Sequence, residues 1–332
     1  LERTVSDLNG QMDSLNDQMG YLEEQLVDAN MQLDLLRQQL DESQAALAAA
    51  GEETRQAKEQ AKEAEENLII IRQEAKEEVE SFGGTVKIYE IDGVEPKKVM
   101  AAMEELREKG FNGIALTPSE DQLLRARIDQ YQEEYGIPIV TFNADLEDTK
   151  RLCFVGQDTF QAGRTAAGLM GEMTGGNGQV AIISGQVANP GLISRQKGFT
   201  TEIKESFPGI EVVDIRYSYD DEWVASKIVE ELLELYPDLT GIYITGHGVK
   251  GVCQTLQKLG KDKTMHVIAN DFLEENLKWL KEGTINFLIG QDAAVQGHSP
   301  VTILFQLLFD SKKPEKEFQY TDIVIRTRYN MG

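Results

Sequence analysis

Cysteine, histidine and tryptophan are scarce, at two, three and two in 332 residues. Cys153 and Cys253 lie far apart, and neither they nor His247, His266 and His298 fall at metal-ligand spacing. No metal site is expected, and two cysteines that pair only if folding joins them leave the compartment open. Long apolar runs are also missing, so no segment reads as a transmembrane helix and none as a signal peptide. Basic residues fall short as well, with 33 Lys and Arg against 57 Asp and Glu for a net charge of −24. Residues 1–82 hold 20 acidic and 7 basic side chains (−13), and the remainder 37 and 26 (−11). Both parts are acidic, which argues against nucleic-acid binding, because phosphate neutralisation needs clustered Lys and Arg. The acidity serves solubility. No nucleophile–base pair or proton-transfer dyad stands out, so neither catalytic residues nor a cofactor are expected.

What is present first is a heptad repeat. Apolar residues recur at Leu1, Val5, Leu8, Met12, Leu15, Met19, Leu22, Leu26, Leu33, Leu36 and Leu40. The frame continues through Leu47, Ala50, Ala57, Ala61, Ala64, Leu68 and Ile71. Steps of four and three keep one seam facing a partner helix, so residues 1–71 read as a coiled coil roughly 100 Å long. A flanking position carries Gln11, Gln18, Gln25, Gln32 and Gln39 in place of charge, which makes self-association the simplest pairing. Gly51 is a soft point. Because Leu1 stands inside a running heptad, the sequence reads as a fragment.

After residue 83 the pattern changes to alternating strands and helices. Strand-like runs are Thr85–Ile88, Gly113–Leu116, Ile137–Phe142, Cys153–Val155, Gln179–Ile183, Glu211–Ile215, Gly241–Ile244, His266–Ala269 and Phe287–Ile289. Helical patterns such as Pro96–Lys109, Ser119–Tyr135, Phe160–Met173 and Ser194–Ser206 separate them. This alternation predicts βαβ units and an α/β fold with parallel sheets flanked by helices.

Ligands on such sheets bind at the carboxyl ends of strands. There the sequence places Asn143 and Asp145, Ser184 and Gln186, His247, Asn270 and Asp271, and Gln291, with Phe142 and Phe272 nearby. Carboxylates accept hydroxyl protons, and amides donate and accept together, which suits a small polyhydroxylated ligand. Each residue alone is as well explained by a turn or a helix cap. The collective pattern favours a site.

Taken together, residues 72–330 resemble the periplasmic-binding-protein type I superfamily, with its ribose-binding-like proteins and LacI/GalR effector domains. The resemblance rests on Gly110-Phe-Asn-Gly-Ile-Ala-Leu-Thr-Pro118, Gly136-Ile-Pro-Ile-Val-Thr-Phe-Asn143 and Phe154-Val-Gly-Gln-Asp158 with Ala162-Gly-Arg164. Arg195-Gln-Lys-Gly-Phe199, Asn270-Asp271, and Gly290-Gln291 with Gln296-Gly297 follow in order. It implies two lobes that close on ligand in a hinge motion, joined by crossovers near Asp158, Gln291 and Pro314–Phe318. Lobe 1 would hold about 72–158 and 292–315, and lobe 2 about 159–291 and 316–330. The family's ligand positions map onto Asn143, Asp145, Gly246 or His247, Asp271 and Gln291, and Arg195 is either a ligand contact or a support.

Two positions depart from the family pattern. Ile193 stands where ribose-type binders carry a ligand-contacting arginine. Heptad sequence stands where the family places a first strand and its ligand loop, so a gap in the first sheet is expected. Leu68-Ile-Ile-Ile71 has the β-propensity of a relic strand but also fits the heptad seam, and one helix running into the lobe is preferred. A competing pattern is Gly246-His-Gly248-Val-Lys-Gly251, which follows a strand and precedes Asp271 by twenty residues, as a dinucleotide fingerprint does. It lies late in the α/β region, and a tight turn explains the same glycines.

The sequence therefore reads as a sugar-type sensor whose closure is coupled to a dimerising coiled coil, as in a regulator or receptor. A sugar-transporter solute-binding protein and an assembly module with a degenerate pocket are the alternatives. The partner is a small molecule, most simply a carbohydrate. The compartment stays open, with a slight preference for the cytoplasm.

Overall fold

The structure, a computed structural model, describes residues 69–91, 95–187 and 189–331. The expected coiled coil thus lies outside the described residues except for its last three. Those three begin α1 (69–81), so Ile69, Ile70 and Ile71 are helical and the relic-strand alternative is not adopted there.

The chain then builds α2 (Pro96–Glu108), β1 (Ile114–Leu116), α3 (Gln122–Glu133), β2 (Ile139–Phe142) and β3 (Cys153–Gly156). Asp121 starts α3 by accepting the Leu123 and Leu124 N–H groups, both at 2.9 Å. Beyond 157–158 the second lobe runs α4 (Thr159–Thr174), β4 (Asn177–Ser184), α5 (Pro190–Ser206), β5 (Gly209–Tyr217) and α6 (Glu222–Leu235). It continues with β6 (Leu239–Ile244), α7 (Val249–Lys258), β7 (His266–Asn270), α8 (Glu274–Glu282) and β8 (Phe287–Gly290). Residues 291–292 return the chain to the first lobe, which adds α9 (Ala293–Asp310) and β9 (Phe318–Tyr320); β10 (Val324–Arg326) rejoins the second.

Two sheets result, ordered β1-β2-β3-β9 and β10-β8-β7-β6-β4-β5. Every pairing is parallel except β10 on β8. Because Phe318 pairs with Phe154, residues 318–320 belong to the first sheet. The third crossover therefore lies at 321–323, later than the Pro314–Phe318 expected from sequence, and lobe 1 extends past residue 315.

The first lobe buries Ile114, Leu116 and Ile139 against Val99 and Met103 of α2 and Leu124, Ile128 and Tyr131 of α3. Its other face sets Val140 and Val155 against Leu304 of α9. In the second lobe α6, α7 and α8 cover one face, and α4 and α5 cover the other, where Phe199 stacks on Tyr243 at 4.8 Å. Both faces of this sheet are covered, which is why its strands read as continuous apolar runs.

The expected strand Thr85–Ile88 does not form. Residues 84–91 make no ladder, and β1 is the outermost strand of its sheet. A strand exists only through a partner's hydrogen bonds. Among the described residues none pairs with that segment, so its β-propensity has nothing to act on.

Candidate functional site

Three strand ends supply the central features. Asn143 after β2 and Asp271 after β7 have φ of 64° and 67°, in the left-handed region that Asn and Asp enter more readily than most residues. Each donates its N–H to the neighbouring strand, Asn143 to the Val155 carbonyl (3.1 Å) and Asp271 to that of Ile289 (2.8 Å). The backbone thus breaks from the sheet while staying anchored to it. Gln291 follows β8 directly, at the second crossover.

Arg195 occupies the centre of this region. It is carried there by α5, which crosses α4 through two glycines. A Cβ on Gly163 would lie 2.1 Å from the Arg195 carbonyl oxygen, and one on Gly198 would lie 2.0 Å from that of Phe160. Only hydrogen fits at either position, which accounts for two glycines in the family-like runs.

The Arg195 side chain is buried, and Nη1 donates to the Thr245 carbonyl at 2.8 Å. Nη2 donates to Gln157 Oε1 at 3.2 Å and lies 3.8 Å from Asp271 Oδ1, within ion-pair range but too far for a hydrogen bond. Gln157 Nε2 in turn donates to the Gly290 carbonyl at 3.0 Å. One guanidinium therefore links the ends of β3, β6, β7 and β8 and spans two of the three crossovers. Buried Arg195 Nε finds no partner among the described residues.

The Asp271 side chain keeps 31% of its surface exposed. Behind it, Asn270 donates to the Ile244 carbonyl (2.9 Å) and the Tyr243 hydroxyl (3.2 Å), and burial raises the pKa of that phenol. Asn276 donates to the carbonyls of Asn270 and Asp271, which fixes the turn. Phe272 lies against Gly290 and beneath Arg326, whose guanidinium is 4.4 Å from the ring centre.

The other expected residues divide. Gln291 Oε1 accepts from Gln296 Nε2 at 3.0 Å, while Asn143 and His247 are exposed. Asp145 is different, because its carboxylate is engaged by partners of its own lobe. Its carboxylate accepts from Arg151 Nε and Nη2 at 2.5 Å each and from Thr141 Oγ1 at 2.6 Å. Arg151 also reaches Glu317 at 3.0 Å. These bonds bind Asp145 into the first lobe and leave its carboxylate committed.

Gln157 and Thr245 were missed by sequence reasoning. In the sequence Gln157 stands out only as part of the family-like run Phe154–Asp158, and its tie to Arg195, 38 positions away, is a property of the fold.

The dinucleotide-like glycines also find a packing explanation. A Cβ on Gly251 would stand 1.9 Å from the Glu222 carbonyl oxygen, so α6 and α7 touch at that point. The Gly251 N–H donates to the Glu222 side chain, which therefore occupies the helix N-terminus where a pyrophosphate would sit. Burial pushes this carboxyl up to about 7, against the lowering effect of the Gly251 hydrogen bond.

Comparison with known proteins bears on the family and the fold. The D-allose-binding periplasmic protein of Escherichia coli (strain K12) is 24% identical over 242 residues, 68% of this chain and 76% of the relative. A crystal structure of a sugar-binding protein of a sugar ABC transporter from Bacillus halodurans is 26% identical with a TM-score of 0.74. The overlap covers 79% of this chain and 92% of that one. A Burkholderia graminis C4D1M ABC-transporter solute-binding protein in complex with D-arabinose is 27% identical with a TM-score of 0.70, over 80% and 92% of the two chains. The family model described as periplasmic binding protein domain matches residues 44–313, and the chain belongs to that family.

Proposed function

We propose that this chain is a non-enzymatic carbohydrate-binding protein of the solute-binding kind, taking its ligand between the two lobes. The observation that carries the reading is Asp271. Its carboxylate is backed by Arg195 at 3.8 Å yet not consumed by it, and it remains open to two sugar hydroxyls. The Gln291 amide, Asn143 and His247 complete the ligand contacts. Arg195 acts from behind as a positioning residue, and Asp145 is left out because its carboxylate is spent on Arg151.

The relatives above are named as binding and transport proteins, which favours this reading over a transcription regulator or receptor. One feature still supports the regulator or receptor: the heptad seam of residues 1–71, which suits self-association and transmission of lobe closure.

Calorimetric titration with D-allose, D-arabinose and D-ribose tests the proposal. Asp271→Ala is expected to weaken the best ligand by roughly 30- to 150-fold, the loss of about 2–3 kcal/mol from a charged hydrogen-bond acceptor. Unchanged affinity would remove Asp271 from the site. Absence of heat with all three sugars would shift the reading to an assembly module, in line with Ile193 and with an edge of β1 that none of the described residues pairs.

A further inference from the structure

A groove of about 580 Å³ lies on the second lobe between edge strand β5 and α6, and it shares no residue with the Arg195 cluster. Its volume is in the range of small-molecule sites. Trp223 and Tyr219 line it with 63% and 61% of their surfaces exposed, an unusual display for two large rings in one depression. Tyr219 and Asp220 are both left-handed (φ 54° and 62°), a conformation that a bulky residue rarely adopts. The Tyr219 N–H donates to the Gly185 carbonyl at 3.1 Å, which holds that turn in place.

The charges in the groove narrow the ligand class. Arg216 Nε donates to Asp214 at 2.7 Å and Nη1 to Glu231 at 3.2 Å, so its charge is balanced twice over. Lys227 pairs with Glu230 at 2.7 Å and lies 5.9 Å from the centre of the Trp223 ring. A phosphate or carboxylate would find no uncompensated cation, and a cationic ligand would meet Lys227 on the aromatic face. What the groove offers is two largely exposed aromatic side chains, one of them with Lys227 near its ring, beside a guanidinium with N–H donors to spare and a carboxylate that accepts. That combination matches a neutral ring with an apolar face and a hydroxyl rim.

We propose that the β5–α6 groove is a second saccharide site, in which a neutral sugar ring stacks on Trp223 and Tyr219 while Arg216 and Glu231 hydrogen-bond its hydroxyls. The site is separate from the inter-lobe cleft and does not depend on the cleft being functional.

The chain has two tryptophans, and Trp279 is buried, so a surface-sensitive fluorescence change reports on Trp223. Cellobiose, maltotriose and xylotriose are titrated against the chain, against Asp271→Ala, and against Tyr219→Asn, which removes the ring but tolerates the left-handed backbone. The expected result is a saturable change with at least one sugar, retained in Asp271→Ala and weakened about tenfold in Tyr219→Asn. No saturable change up to roughly 20 mM overturns the proposal. A change that is insensitive to Tyr219→Asn, or is lost in Asp271→Ala, overturns it as well.

Discussion

Two buried arginines each face an aspartate, and the two pairs have opposite designs. Arg151 and Asp145 meet through two 2.5 Å bonds, with Thr141 and Glu317 taking further positions on the pair. Arg195 stands off from Asp271 by 3.8 Å and spends its best hydrogen bonds on Gln157 and the Thr245 carbonyl. The first arrangement is closed, since both carboxylate oxygens and all three guanidinium nitrogens bond inside one lobe. The second is open, because the carboxylate is held in place electrostatically yet left to accept from a third party. Family position alone would have treated both aspartates as ligand residues. The geometry of the two differs, with Asp145 taken up by Arg151 and Thr141 and Asp271 keeping 31% of its side-chain surface exposed.

The sharpest way to break this comparison is to remove one partner of the closed pair. Arg151→Ala strands a nearly buried carboxylate, and Asp145→Ala leaves a guanidinium with 1% of its side-chain surface exposed to Glu317 alone among its acidic partners. Each should lower the unfolding free energy by about 3–5 kcal/mol, as read from urea or guanidinium melts. Sugar affinity of the protein that remains folded should not change. If Asp145→Ala abolishes binding at unchanged stability, the assignment of the two pairs is inverted.

A third carboxylate extends the comparison, because Glu222 has no closely paired arginine among the described residues. It accepts backbone N–H from α7 and is flanked by Glu275 and Lys250. Its folded pKa, raised to about 7 from 4.5, means that ionisation is harder in the folded state than in the unfolded chain. Its favourable contribution is therefore fully present below about pH 4.5 and is lost as the pH rises towards 7. Glu222→Gln should remove this dependence. Between pH 4.5 and 7.5 the stability of the wild type relative to the variant should fall by about 3 kcal/mol. A difference that is flat across that window would show that the carboxyl is not desolvated.

Sequence patterns reached the fold and the strand ends because both are local. Asn143, Asp271 and Gln291 stand within two residues of the ends of apolar runs, and the structure places them at strand ends. What escaped was non-local. Asp145 looked as available as Asn143 until Arg151 folded back across the turn onto it. Thr85–Ile88 has the composition of a strand, but a ladder needs a neighbour, and none of the described residues supplies one. β9 and β10 are three residues each, too short for alternation to register, and β9 shifts the third crossover past Phe318. Gln157 was read only as part of a family-like run, although it is the residue that joins Arg195 to the second crossover.

That residue provides the smallest and most discriminating test of the open pair. Gln157→Ala leaves the buried Gly290 carbonyl without its donor and Arg195 Nη2 without an acceptor, while the carboxylate of Asp271 stays intact. Stability should drop by about 1–2 kcal/mol. With Gln157 gone, Arg195 is free to move onto Asp271, closing the pair in the manner of Arg151 and Asp145. Sugar affinity should then fall by more than the stability loss explains, measured well below the melting temperature, and Gln157→Asn should restore little because its amide is one methylene short. If affinity instead holds constant while stability drops, Gln157 is a structural tie between crossovers, and the openness of Asp271 does not depend on it.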